Sequence, residues 1–97
     1  MPKFHVRDTF EIPDRSLFVM AGSIVDGEVR TGMFVRIPMF PTHGIQFQVH
    51  SIEFALRQGG EDVCLCLQLG PNVTEILRDL KLADHTLEVV ADPAPGV

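Results

Sequence analysis

The chain has no tryptophan and no tyrosine, two cysteines, and only 8 lysines and arginines against 13 aspartates and glutamates. Each shortage excludes something. Without Trp or Tyr there is no evident aromatic cluster for a flavin ring, so no flavin is expected. A formal net charge of −5 argues against general affinity for nucleic acid, which depends on Lys and Arg neutralising phosphates. No apolar run approaches the roughly 18 residues of a membrane span, and the opening "MPKFHVRD" lacks the apolar centre of a signal peptide. A cytoplasmic protein is expected, with no membrane partner. Cys64 and Cys66 sit two apart in "DVCLCLQL"; on a strand they share a face, where a disulfide would strain the pleat. A zinc site needs two more ligands, and no second Cys pair exists. The two thiols are expected to fill space.

What remains is β-rich. Phe4, Val6, Phe10 and Ile12 fall on one phase and Lys3, His5, Arg7, Thr9 and Glu11 on the other, the pattern of a half-buried strand. "SLFVMAGSIV" follows, and its Gly22 marks a bulge or a close backbone approach. Turns are expected at Asp26-Gly27 and Thr31-Gly32, with "MFVRIPMF" as the next strand and Pro38 at its end or edge. In "IQFQVHSIEF" the apolar phase changes from Ile45, Phe47 and Val49 to Ile52 and Phe54. That change predicts a bulge near His50-Ser51. Val63, Leu65, Leu67 and Leu69 give a core-facing strand, and "TLEVVA" closes the series. One short helix is expected near 73–80, capped by Asn72, with Ile76, Leu77 and Leu80 as its apolar side. Residues 1–91 are read as one domain and 92–97 as a disordered Pro-rich tail. Six or so strands with short turns predict an all-β fold, a small closed antiparallel Greek-key barrel.

Several segments together resemble the second, β-barrel domain of translational GTPases such as elongation factor Tu. "VRDTFEI" is similar to its opening strand and "DRSLFVMAG" to its first turn and second strand. "IVDGEVRTGMFVRI" resembles its glycine-spaced hairpin run, and "VHSIEF" and "GEDVCLCL" two later strands. The resemblance covers residues 4–90 and implies a stand-alone barrel that acts as a binding module rather than an enzyme. No G-x-x-x-x-G-K-[ST] loop is present, so GTP binding by this chain is not expected.

The family's aminoacyl-binding positions carry over residue by residue. Its acidic-acidic-x-Phe segment corresponds to Arg7, Asp8, Thr9 and Phe10, with the first acid replaced. Its Glu-Met-x-Arg stretch places the Glu on Glu53 and the Arg on Leu56. The Asn of its Gly-x-Asn-Val turn falls on Asp62, and the Thr of its second strand on Ala21. Phe10 is either plain core or a platform for a ligand. Asp8 either sits at a rim beside Arg7 or contacts a ligand, and Glu53 is either solvated or a contact. Arg15, in "PDRS", is expected to pair with a carboxylate. In "PMFPTHG", Met39 and Phe40 either fold over the barrel mouth or form an apolar contact.

The candidate binding residues are therefore Arg7, Asp8, Phe10, Phe40, Glu53 and Asp62. A protein is the expected partner. The alternative is a ribosome- or RNA-associated factor, with Arg7, Arg15, Arg30 and Arg36 clustered on one side; a homodimer is a further possibility. The four histidines, including His43 and His50, form no H-x-H or H-E-x-x-H spacing, and no metal or other cofactor is expected.

Overall fold

Strands form where the apolar alternation runs, and they stop at Gly, Pro and the phase change. The computed structural model describes residues 2–38 and 45–91. The strands are β1 (Lys3–Ile12), β2 (Leu17–Asp26), β3 (Phe34–Ile37), β4 (Ile45–Gln48), β5 (Ser51–Arg57), β6 (Gly60–Gln68) and β7 (Thr86–Val90). A 3-10 turn, Pro13–Arg15, joins β1 to β2, and helix α1 (Pro71–Asp79) precedes β7. The loop holding Met39, Phe40 and His43, and the tail 92–97, lie outside the described residues, so the expectations placed on them are not addressed.

All strand pairs are antiparallel, in the order β4-β3-β7-β1-β2-β6-β5. The segment read as one strand with a bulge near His50-Ser51 is two strands, β4 and β5, divided at Val49 and His50. These two strands, at opposite ends of the hydrogen-bonded order, are therefore joined by only Val49 and His50. Val49 exchanges main-chain hydrogen bonds with the Gly32–Met33 turn (Gly32 N–H to Val49 O, 3.0 Å; Val49 N–H to Met33 O, 2.8 Å), while the His50 N–H donates to Cys66 O (2.8 Å). The turn glycines Gly27 and Gly32 have φ of 70° and 94°, as the turn reading requires.

One core cluster draws from almost every element: Phe4 and Val6 of β1, Phe18 and Met20 of β2, Val35 and Ile37 of β3, Leu65 and Leu67 of β6, Leu87 and Val89 of β7, and Leu77 of α1. Burying each such side chain stabilises the fold by about 1.5–3 kcal/mol before entropy is counted. The opposite face of β2 and β6 is buried as well, by Val19, Ala21, Cys64 and Cys66, with Ile12 and Leu17 packed alongside. The near-continuous apolar runs in these two strands follow from burial on both sides.

Two local expectations are corrected. Asn72 is not the helix cap. Gly70 occupies that position with no capping side chain, and Pro71 takes the first helical turn, where its fixed φ fits and no N–H is missed. The Thr74 hydroxyl instead donates back to Gly70 O at 3.0 Å. Ile76 also points away from the sheet and is exposed, because the face that docks is the one carrying Thr74 and Leu77. Arg78 fixes that docking by donating to both Glu11 oxygens, at 2.7 and 2.8 Å.

Candidate functional site

The site is set by a bulge in β1. Val6 pairs with Gly22, but the next pairing is Asp8 with Ala21, so Arg7 has no partner of its own in the ladder. The extra residue reverses the alternation beyond it. Thr9 and Glu11 pair with Met20 and Phe18 on the core-facing side, and Asp8, Phe10 and Ile12 turn to the other. The alternation placed Phe10 with Phe4 and Val6; instead it is 47% exposed and lies on the opposite face.

Directly paired residues in neighbouring strands share a face. Across β1, β2, β6 and β5, one row reads Asp8, Ala21, Cys64 and Glu53, and the next reads Phe10, Val19, Cys66 and Ser51. Asp62 precedes Cys64 by two and faces the same way. Arg7, Asp8, Phe10, Glu53 and Asp62, separate in the sequence, thus share one surface of four strands. Its floor of Ala21, Cys64, Cys66 and Ser51 is made of small side chains. A groove of about 680 Å³ opens beside it, lined by Ile12, Arg15, Leu17, His50, Ser51, Glu53, Cys66 and Gln68.

Asp62 is the buried charge of this surface, 4% exposed. Arg7 Nε donates to both of its oxygens at 3.2 and 3.1 Å, and Arg7 Nη2 makes a further short contact to Oδ2. Arg57 Nε donates to Oδ1 at 2.9 Å. Two guanidinium groups from opposite sides compensate the carboxylate, as burial of a charge demands. Arg7 first and Arg57 second hold the Asp62 carboxyl below its usual range, although burial pushes the other way. The same pairing raises Arg7. Burial pushes the Cys64 thiol up, so it stays protonated and inert near neutrality. Arg57 was not among the sequence candidates. Its signal was the hairpin: a two-residue turn at Gln58-Gly59 puts Arg57 diagonal to Asp62 on one face.

The carboxyl shifts have a consequence for pH. Asp62 and Glu11 are both lowered, Glu11 by its hydrogen bonds to Arg78. A lowered carboxyl contributes stability that is present above the unfolded value, about 4, and is lost as pH falls through the folded one. Urea midpoints should therefore fall as pH is taken from 5 towards 2. Asp62→Asn should lower the midpoint at pH 7 and flatten that slope; an unchanged slope would show that the ion pair is absent in solution.

The remaining expectations divide. Arg15 is exposed at the groove, and no carboxylate among the described residues pairs with it. The four arginines do not gather into a basic patch. Arg36 lies on β3 beside Glu88, Arg30 faces Glu28 in a loop, and Arg7 is held by Asp62. Cys64 and Cys66 are free and buried. Among the described residues no group of three or more His, Cys, Asp or Glu is placed to hold a metal, and no helix is long and apolar enough to cross a membrane. Comparison with protein-family models, with curated proteins and with solved structures finds no match to this chain.

Proposed function

We propose that this chain is a non-catalytic binding module that receives a protein partner on the outer surface of β1, β2, β6 and β5, and that its sheet is wrapped into a Greek-key barrel of the kind found in translational GTPases. Wrapping is supported by the chain path. The two ends of the strand order, β4 and β5, are consecutive, and side chains from all seven strands and α1 form one core cluster or pack against it.

Binding on the outer surface rests above all on Phe10. A phenylalanine 47% exposed beside a floor of small side chains and a groove is a surface anchor, because its area is not spent on the core. The charges around it are mixed: Arg7 and Arg57 on Asp62, then Asp8, Glu53 and Arg15. Such a surface suits a peptide segment carrying both signs better than a phosphate backbone.

Capture of partners by the tagged protein from its own lysate, with and without ribonuclease, tests the proposal against a Phe10→Ala variant. The expected result is a nuclease-resistant protein that the wild type holds and the variant loses, with melting temperatures that stay close. A partner retained equally by the variant would place binding elsewhere. Capture that vanishes with ribonuclease would replace the protein partner with RNA.

A further inference from the structure

The hairpin of β5 and β6 carries an apolar face that the core does not use. Ile52, Phe54 and Leu56 pair with Leu65, Val63 and Glu61, on the side that faces the core lower down. Ile52 is packed against the core cluster, but Phe54 is 65% exposed and Leu56 87%. β5 is also the last strand in the hydrogen-bonded order and meets β4 only through Val49 and His50, so its far edge has no strand beside it among the described residues. Edge strands are commonly protected by lysine, proline or a bulge. The seven residues "SIEFALR" contain none of these.

We propose that β5 pairs with β5 of a second copy, antiparallel about a two-fold axis at Phe54, to give a homodimer with a continuous sheet across its interface. The strand is complementary to itself in its apolar face and in its main-chain groups. Pairing centred on Phe54 sets Ile52 opposite Leu56 of the other copy and Phe54 opposite Phe54, so all three apolar side chains of each copy fall on one shared face. On the other face Glu53 lies opposite Ala55, with Arg57 and Glu53 of the other copy on its two diagonals. The main-chain groups agree as well. Arg57 and Gly60 flank the two-residue turn Gln58-Gly59, so they form a hydrogen-bonded pair, and alternation then directs the N–H and C=O groups of Ile52, Phe54 and Leu56 outward. About six main-chain hydrogen bonds would join the copies.

A second copy is a better occupant than an unrelated strand for a geometric reason. The other end of the sheet, β4, is only four residues, "IQFQ", and pairing β4 with β5 of the next molecule would be head-to-tail and would not close. Self-pairing of β5 is isologous and stops at two. It leaves Phe10 on β1 uncovered, and although β5 borders the partner surface proposed above, Phe54→Lys tests the one and Phe10→Ala the other.

Light scattering on a sizing column, at protein concentrations up to about 100 μM, reads this directly. The wild type should elute at twice the 10.8 kDa chain mass and Phe54→Lys at the single mass, with unchanged circular dichroism because residue 54 is largely exposed. A Phe54→Cys variant locates the axis. A hydrogen-bonded antiparallel pair sets its Cα atoms about 5.5 Å apart, within reach of a disulfide, so mild oxidation should link the copies through residue 54. A monomeric wild type at the highest concentration, a dimeric Phe54→Lys, or a Phe54→Cys variant that does not cross-link would each overturn the proposal.

Discussion

Gly22→Ala should give the largest fall in urea midpoint of any substitution named here. Gly22 pairs with Val6 on one side and Val63 on the other, at the rung where β1 bulges. A methyl group on it would lie far inside van der Waals contact of the His5 carbonyl oxygen, 3.0 Å from the His5 carbonyl carbon and 3.1 Å from the Arg7 nitrogen. These are main-chain atoms that cannot rotate away. Relief requires the two strands to separate where the bulge turns Asp8 and Phe10 outward. Overpacking a core with room to adjust costs about 1–3 kcal/mol. Here the cost should exceed about 3 kcal/mol, a large part of the ~5–15 kcal/mol that holds a domain together. Gly32→Ala is the informative control. Among the described residues no atom lies within 4 Å of its added carbon, but its φ of +94° is unfavourable for alanine, so only a conformational penalty of about 1–2 kcal/mol applies. Urea unfolding of both variants separates collision from backbone preference. Equal, small losses would show that β1 and β2 do not approach this closely.

Phe4→Ala should cost about 3–5 kcal/mol, the second largest effect. Phe4 is fully buried and paired with Ile24 of β2 and Leu87 of β7, so its ring lies where strands from the two ends of the chain meet. Truncation would leave a void at that seam. Phe54→Ala removes the same atoms from a position 65% exposed and should change the midpoint of the dilute monomer by little, since surface changes stay within about 0.5 kcal/mol. A Phe4 variant as stable as the Phe54 variant would mean that the β1–β7 seam is not packed.

These two positions show what the sequence could and could not convey. Gly22 was legible, because an isolated glycine in an apolar strand has few other uses. The phase change between Val49 and Ile52 was legible too, because apolar residues flank it closely. The bulge at Arg7 left no such mark. Arg7, Asp8 and Thr9 are all polar, so the alternation on either side can be joined with or without an extra residue, and Phe10 fell on the wrong face. The Asp62 cluster was half visible. A carboxylate opening the apolar run "DVCLCL" shares a phase with two buried cysteines and so requires a partner, but nothing local names Arg7, which comes from a distant strand. The helix start misled for a simpler reason: an Asn that could cap was weighed without the proline before it.

The place of β7 bears on how the chain acquires its structure. The last strand does not extend the sheet at an edge; it is inserted in the middle, between β3 and β1, with Glu88 beside Lys3. Contacts between residues so far apart close the longest loop and form slowly. β1 with β2, β5 with β6 and β3 with β4 can zip through near neighbours, but β2 meets β6 across a longer loop, and in the strand ladder β3 and β4 join the rest only through residues 86–90. During synthesis β1 therefore waits with its Lys3–His5 edge unpaired until β7 has been made, and that interval is when misassembly competes with folding.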